Sequence, residues 1–112
     1  MNSIRINFDQ IEWDHKSAGM RVKRVMRHGK QLRMVEIGPD SGEANWREEE
    51  HVGYILEGEL ETNVNGSVER LTAGDSLFIP GGKEYRHKSK AVGSLVRLIL
   101  VEDAEQTTHA DG

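Results

Sequence analysis

Cysteine is absent from the 112 residues, so disulfides, thiolate chemistry and cysteine-ligated zinc are all excluded. Any metal must be held by nitrogen and oxygen. No charge of one sign dominates: 15 basic against 19 acidic residues leave a net charge of −4. A broad electrostatic footprint for nucleic acid or for an anionic membrane surface is therefore not expected. Long hydrophobic runs are missing as well. The longest, Leu95 to Val101, is seven residues broken by Arg97, against the roughly 20 that a spanning helix needs. Nor does Met1 to Phe8 contain a basic leader followed by an apolar block, which makes a cytoplasmic location the default expectation. Internal repeats and a Ser-His-Asp pattern are not found. Gly81-Gly82-Lys83-Glu84 lacks both the upstream glycine and the hydroxyl residue of a phosphate loop.

Helical periodicity is scarce, and what replaces it has the period of strands. Ile4, Ile6 and Phe8 alternate with polar residues, as do Leu60, Thr62 and Val64. Between Val64 and Val68 stands Asn65-Gly66, the dipeptide that best tolerates the positive φ angles of a tight hairpin turn. Gly29, Gly38-Pro39, Gly42, Gly58, Gly74, Pro80-Gly81-Gly82 and Gly93 punctuate the chain at the spacing of many short strands. The expected class is all-β. Ser41 to Glu50 has helical features, including Glu43 and Arg47 at i, i+4, but Val52-Gly53-Tyr54-Ile55-Leu56, which reads as a buried strand, follows at once, so a loop or strand lead-in is preferred. Residues 102–112 carry no periodicity and read as a frayed tail after a single domain over 1–101.

Two motifs resemble those of the cupin family, small barrels built as a double-stranded β-helix or jelly roll. Tyr54-Ile55-Leu56-Glu57-Gly58 is similar to the end of the first cupin motif. Gly74, Pro80 and Gly82 fit the framework of the second. The three glycines and the proline also have structural reasons to be there, since they end or begin strands and turn the chain.

The resemblance implies metal ligands at positions that here hold other residues. Counting back from Gly58, the family's glutamate position is His51, and its two histidine positions are Asn45 and Arg47. The histidine position of the second motif is Tyr85, with His87 two residues on and, in a strand, on the same face. His51 and His87, joined by a carboxylate from Glu48, Glu49 or Glu50, are thus candidate ligands for one divalent metal such as Zn, Fe, Mn or Ni. Arg47 nearby would oppose a cation. The alternative for His51 is a hydrogen bond to Tyr85 or to a glutamate across the barrel.

A candidate pocket is lined by Asn45, Trp46, Arg47, His51, Tyr85 and His87, with Tyr85 and His87 as candidate catalytic residues. Trp46 suits either a pocket mouth or a core, and Arg47 either a substrate carboxylate or a solvated partner in Glu43 or Glu48. Glu48-Glu49-Glu50 reads as a solvated run, and His15, His28 and His109 as surface residues. Glu36 and Arg97 each interrupt a strand-like apolar segment, so each faces solvent or is paired.

Two functions follow. One is a stand-alone cupin binding a small organic molecule in its barrel. The other is a divalent-metal-dependent enzyme of dioxygenase, isomerase or decarboxylase type acting on a small organic acid. A helix-turn-helix regulator is too large for the chain. Homodimerisation is expected, with residues 2–8 pairing as an edge strand across a two-fold.

Overall fold

The computed structural model describes residues 3–17, 19–41 and 45–104. Nine strands follow one another: β1 (Asp14–Ser17), β2 (Met20–Arg27), β3 (Lys30–Ile37), β4 (His51–Glu57), β5 (Glu59–Val64), β6 (Ser67–Thr72), β7 (Ser76–Ile79), β8 (His87–Ala91) and β9 (Val96–Asp103). They form a six-stranded sheet ordered β1-β2-β3-β9-β4-β7 and a three-stranded sheet ordered β6-β5-β8, all neighbours antiparallel, in a jelly-roll barrel.

Local chemistry fixes the registers. Asn65 and Gly66 take φ of 46° and 97°, and the Asn63 side chain accepts from the Gly66 amide at 2.7 Å, closing the β5-β6 hairpin at the expected place. His28 and Gly29, with φ of 49° and 77°, do the same between β2 and β3. Strand parity then sorts the side chains into an inner and an outer face. Along β9, Val96, Leu98, Leu100 and Glu102 are all buried on the inner face. Their partners on β3 are Ile37, Val35, Arg33 and Gln31. On β4 the inner positions are His51, Gly53 and Ile55, and at Gly53 a Cβ would collide with the Ile99 carbonyl oxygen.

The barrel interior therefore has two ends. At one, Val22, Val35, Ile55, Leu60, Val96 and Leu98 form an apolar core, each contributing about 1.5–3 kcal/mol by burial. At the other, the same strands turn in His51, His87, Glu102, Gln31 and Arg33.

Three expectations change. Residues 3–7 are not a strand of this chain, and residue 2 lies outside the described residues. They lead into a short 3₁₀ turn at Phe8–Gln10 whose start is capped by the Asn7 side chain. The segment is tied down by side chains instead of a ladder: Lys23 Nζ donates to the Phe8 carbonyl at 2.6 Å and Arg27 to that of Ser3 at 2.5 Å. The barrel does not stop at residue 101 either, because β9 runs on to Asp103 and Glu102 is buried; residues 105–112 of the expected tail lie outside the described residues. Finally, Val52 to Leu56 is a strand but not a buried one throughout, since Tyr54 faces outward and Leu56, beside a break in the β4-β9 register, is also exposed.

Candidate functional site

The polar end is built by register. His51 opens β4 opposite Ile79, and His87 opens β8 opposite Val64, so two residues 36 apart in sequence meet across the barrel. Their rings are edge-to-face with centroids 4.7 Å apart. His87 Nδ1 lies 3.0 Å from the Tyr85 carbonyl oxygen, which only accepts, so this nitrogen carries a proton. Burial pushes the His87 imidazole below its usual range, more than the Tyr85 hydrogen bond can offset, which keeps the ring neutral. Its Nε2 is then bare and accepts from His51 Nδ1 at 3.2 Å. On the far side of the His51 ring, Nε2 stands 3.2 Å from Glu102 Oε2. With all three bonds made, both His51 ring nitrogens are engaged, one with His87 and one with the Glu102 carboxylate.

Glu102 is the anchor of this chain. Arg33 grips it in bidentate fashion, Nε to Oε1 at 2.5 Å and Nη2 to Oε2 at 3.1 Å, and Gln31 Nε2 donates to Oε1 at 3.2 Å. Burial alone would raise its pKa, but the His51 hydrogen bond and the Arg33 guanidinium outweigh that and bring the carboxyl down to about 2.

Among the other expected site residues, Arg47 bridges to His87 through backbone hydrogen bonds and pairs its side chain with Glu49 at 2.8 Å; Glu43, one of its expected partners, lies outside the described residues. Glu49 is accordingly not part of a solvated run: its side chain is 11% exposed and its Oε2 is buried with no hydrogen-bond partner. Burial opposes its charge, yet its own backbone amide and Arg47 hold the carboxyl below the usual range. Trp46 takes neither of its two expected places. Its ring lies under Arg86 and Lys88, each cationic centre 4.5 Å from the centroid, and Asn45 beside it is exposed. Glu36 and Arg97 are register partners on the outer face, bonded at 2.9 Å through Arg97 Nε, with Arg21 on the second Glu36 oxygen at 2.7 Å.

A cavity of about 410 Å³ opens beside the histidines, between β5, β6 and β7. Val64, Leu71, Leu77, Ile79 and Pro80 give its apolar wall, and Thr62, Glu69 and Tyr85 its polar points. Of the residues expected to line a pocket, Tyr85 does so; His51 and His87 stand behind it as the register partners of Ile79 and Val64.

Residues 32–102 match the family model described as the cupin domain, and the chain belongs to the cupin family. An RmlC-like cupin from Shewanella frigidimarina NCIMB 400 superposes with a TM-score of 0.72 at 22% identity over 91% of each chain. The polyketide cyclase RemF from Streptomyces resistomycificus gives 0.74 at 20% identity, over 91% of this chain and 80% of that one. The FeII form of HppE gives 0.69 at 18%, over 88% of this chain and 59% of that one. At these identities the likeness is one of fold. No curated protein matches by sequence.

The iron-containing neighbour makes the donor set worth testing here. His51 spends one nitrogen on His87 and the other on Glu102, so the three groups are strung along a line instead of gathered on a point. Glu49, the nearby carboxylate, is tied to the Arg47 guanidinium, which would repel a cation at the same place. Among the described residues no group of three or more His, Asp or Glu side chains is placed to hold a metal ion. This arrangement does not fit the expected metal held by His51 and His87. The sequence could reveal the two histidines because family spacing and strand parity both point at them. It concealed Glu102, Arg33 and Gln31 because a buried polar row ending a strand looks like a solvated terminus.

Proposed function

We propose that the protein binds a small organic molecule in the cavity between β5, β6 and β7. What carries the reading is the cavity itself: about 410 Å³, within the range of small-molecule sites, with apolar walls and a few polar points for orientation. The histidine chain supports the wall of this site instead of reacting in it, since both His87 nitrogens are engaged and the ring is 2% exposed. Benzyl alcohol, an uncharged ring of suitable size, serves as probe. Titrated into ¹⁵N-labelled protein, it is expected to shift the amides of Val64, Leu71 and Ile79, and the cavity-filling Ser67→Phe is expected to weaken it at least tenfold. Shifts scattered away from these residues, or an unchanged affinity in Ser67→Phe, would count against the cavity.

We further propose that two copies associate, through the outer face of the long sheet and not through residues 2–8. Tyr54, Phe78 and Val101 are neighbours on that face and 43%, 68% and 46% exposed, an apolar row that a monomer gains nothing by showing to water. Light scattering at micromolar concentration is expected to give a dimer that Phe78→Lys converts to monomer; a monomeric parent would end this reading.

A further inference from the structure

The cavity is uneven in charge. Among its lining residues Glu69 is the sole ionisable carboxylate, and no lysine or arginine lines it. Glu69 belongs to the middle row of the short sheet's inner face, opposite Thr62 and one strand from Ser89. The Thr62 and Ser89 hydroxyls bond to each other at 2.8 Å and offer Glu69 nothing that the structure uses. Arg70, its chain neighbour, points to the opposite face, where it serves Glu59 at 3.1 Å and Glu61 at 3.6 Å with Lys90. Less exposed carboxylates elsewhere are matched: Glu102 by Arg33 and His51, and Glu49 by Arg47 on one oxygen. Among the described residues, by contrast, no side chain or amide pairs with Glu69. Exposed and solvated by water alone, this carboxylate is the one anionic group of the lining that a ligand entering beside the apolar wall would meet.

We propose that the cavity selects a cation: an organic amine whose ammonium meets the Glu69 carboxylate while its apolar body lies against Val64, Leu71, Leu77 and Ile79. The proposal rests on the cavity reading above and adds the ligand's charge, which is opposite to that of the organic acid suggested by the family resemblance. Tyr85 and the serine hydroxyls of the lining give further polar contacts without favouring either sign. The net charge of −4 adds a weak attraction in the same direction.

Three probes with one ring and three charges decide the matter: benzylamine, benzyl alcohol and benzoate, titrated at pH 7 into the full labelled chain. The expected order of affinity is benzylamine, then benzyl alcohol, then benzoate, with shifts centred on the cavity residues. A hydrogen bond to a charged group is worth enough that Glu69→Gln should weaken benzylamine about tenfold, to the level of benzyl alcohol, while Glu69→Asp keeps the order. Because Glu69 is exposed and unpaired, Glu69→Gln should melt with the parent, which keeps the comparison clean. Benzoate binding as well as benzylamine, or an amine preference that survives Glu69→Gln, overturns the proposal while leaving the cavity standing. Failure of all three probes removes the cavity reading and this one together.

Discussion

The two ends of the barrel interior are made by the same strands and held together by different physics. At the apolar end, Ile55, Val96 and Leu98 need only shape and exclusion from water, and small errors of volume are charged locally. At the polar end, Glu102 and His87 are as deprived of water and His51 is largely so, and each must find a partner of the right polarity or lose the energy of desolvation. The apolar end is tolerant of composition and indifferent to pH. The polar end is the reverse, because removing one member leaves its neighbours buried and unpaired.

The contrast can be broken most forcefully from the apolar side. Ile55→Ala should cost about 3–4 kcal/mol in chemical denaturation, through lost burial and the cavity left behind, with the shape of the pH dependence unchanged. Glu102→Gln should cost about 2–3 kcal/mol at pH 7, since Arg33 and His51 then face a neutral amide. It should also change the pH curve. The folded Glu102 carboxyl, at about 2, lies below its ordinary 4.5, so it adds stability above pH 4.5 that is lost as pH falls toward 2. In Glu102→Gln this limb should flatten; an unaltered limb between pH 4.5 and 2 would place the acid sensitivity elsewhere.

His87 sharpens the same comparison at milder pH. Its folded pKa is depressed below the ordinary 6.5, so the unfolded chain takes up a proton first, and stability begins to fall as pH drops below 6.5. Denaturation midpoints from pH 8 downward should therefore show an early loss in the parent that is absent from His87→Gln. The smallest effect belongs outside the interior: Arg47 is 42% exposed on its side chain, and Arg47→Ala should change stability by no more than about 0.5 kcal/mol. A larger cost would mean that Arg47 supports the buried Glu49 oxygen more strongly than the contrast allows.

What the sequence made legible follows the same division. The all-β class, the Asn65-Gly66 hairpin and the alternation of Leu60, Thr62 and Val64 are local signals, and local signals survive folding. His51 and His87 could be named in advance because a family spacing points at His51 and a two-residue strand period puts His87 on the face expected of Tyr85, although the two meet from different sheets. Glu36 and Arg97 could be recognised as paired or solvated but not resolved, since only the β3-β9 register makes them partners. Glu102 was hidden by its own polarity, although Val96, Leu98, Leu100 and Glu102 keep a period of two that the apolar count alone does not see. Residues 3–8 misled for the converse reason: they alternate like a strand, but the carbonyls at the two ends, of Ser3 and Phe8, are claimed by the side chains of Arg27 and Lys23. Trp46 could not be placed by any local rule, because the cations over its ring arrive from β8 and the residue before it.

The closed polar end is tested most directly by the protonation pattern of the two imidazoles, read from long-range ¹⁵N–¹H correlation spectra at pH 7. His87 should show a single neutral tautomer with its proton on Nδ1 and a bare Nε2, unchanged when benzyl alcohol is added. A His87 ring protonated on Nε2, or on both nitrogens, would contradict the chain that runs from the Tyr85 carbonyl through both histidines to Glu102.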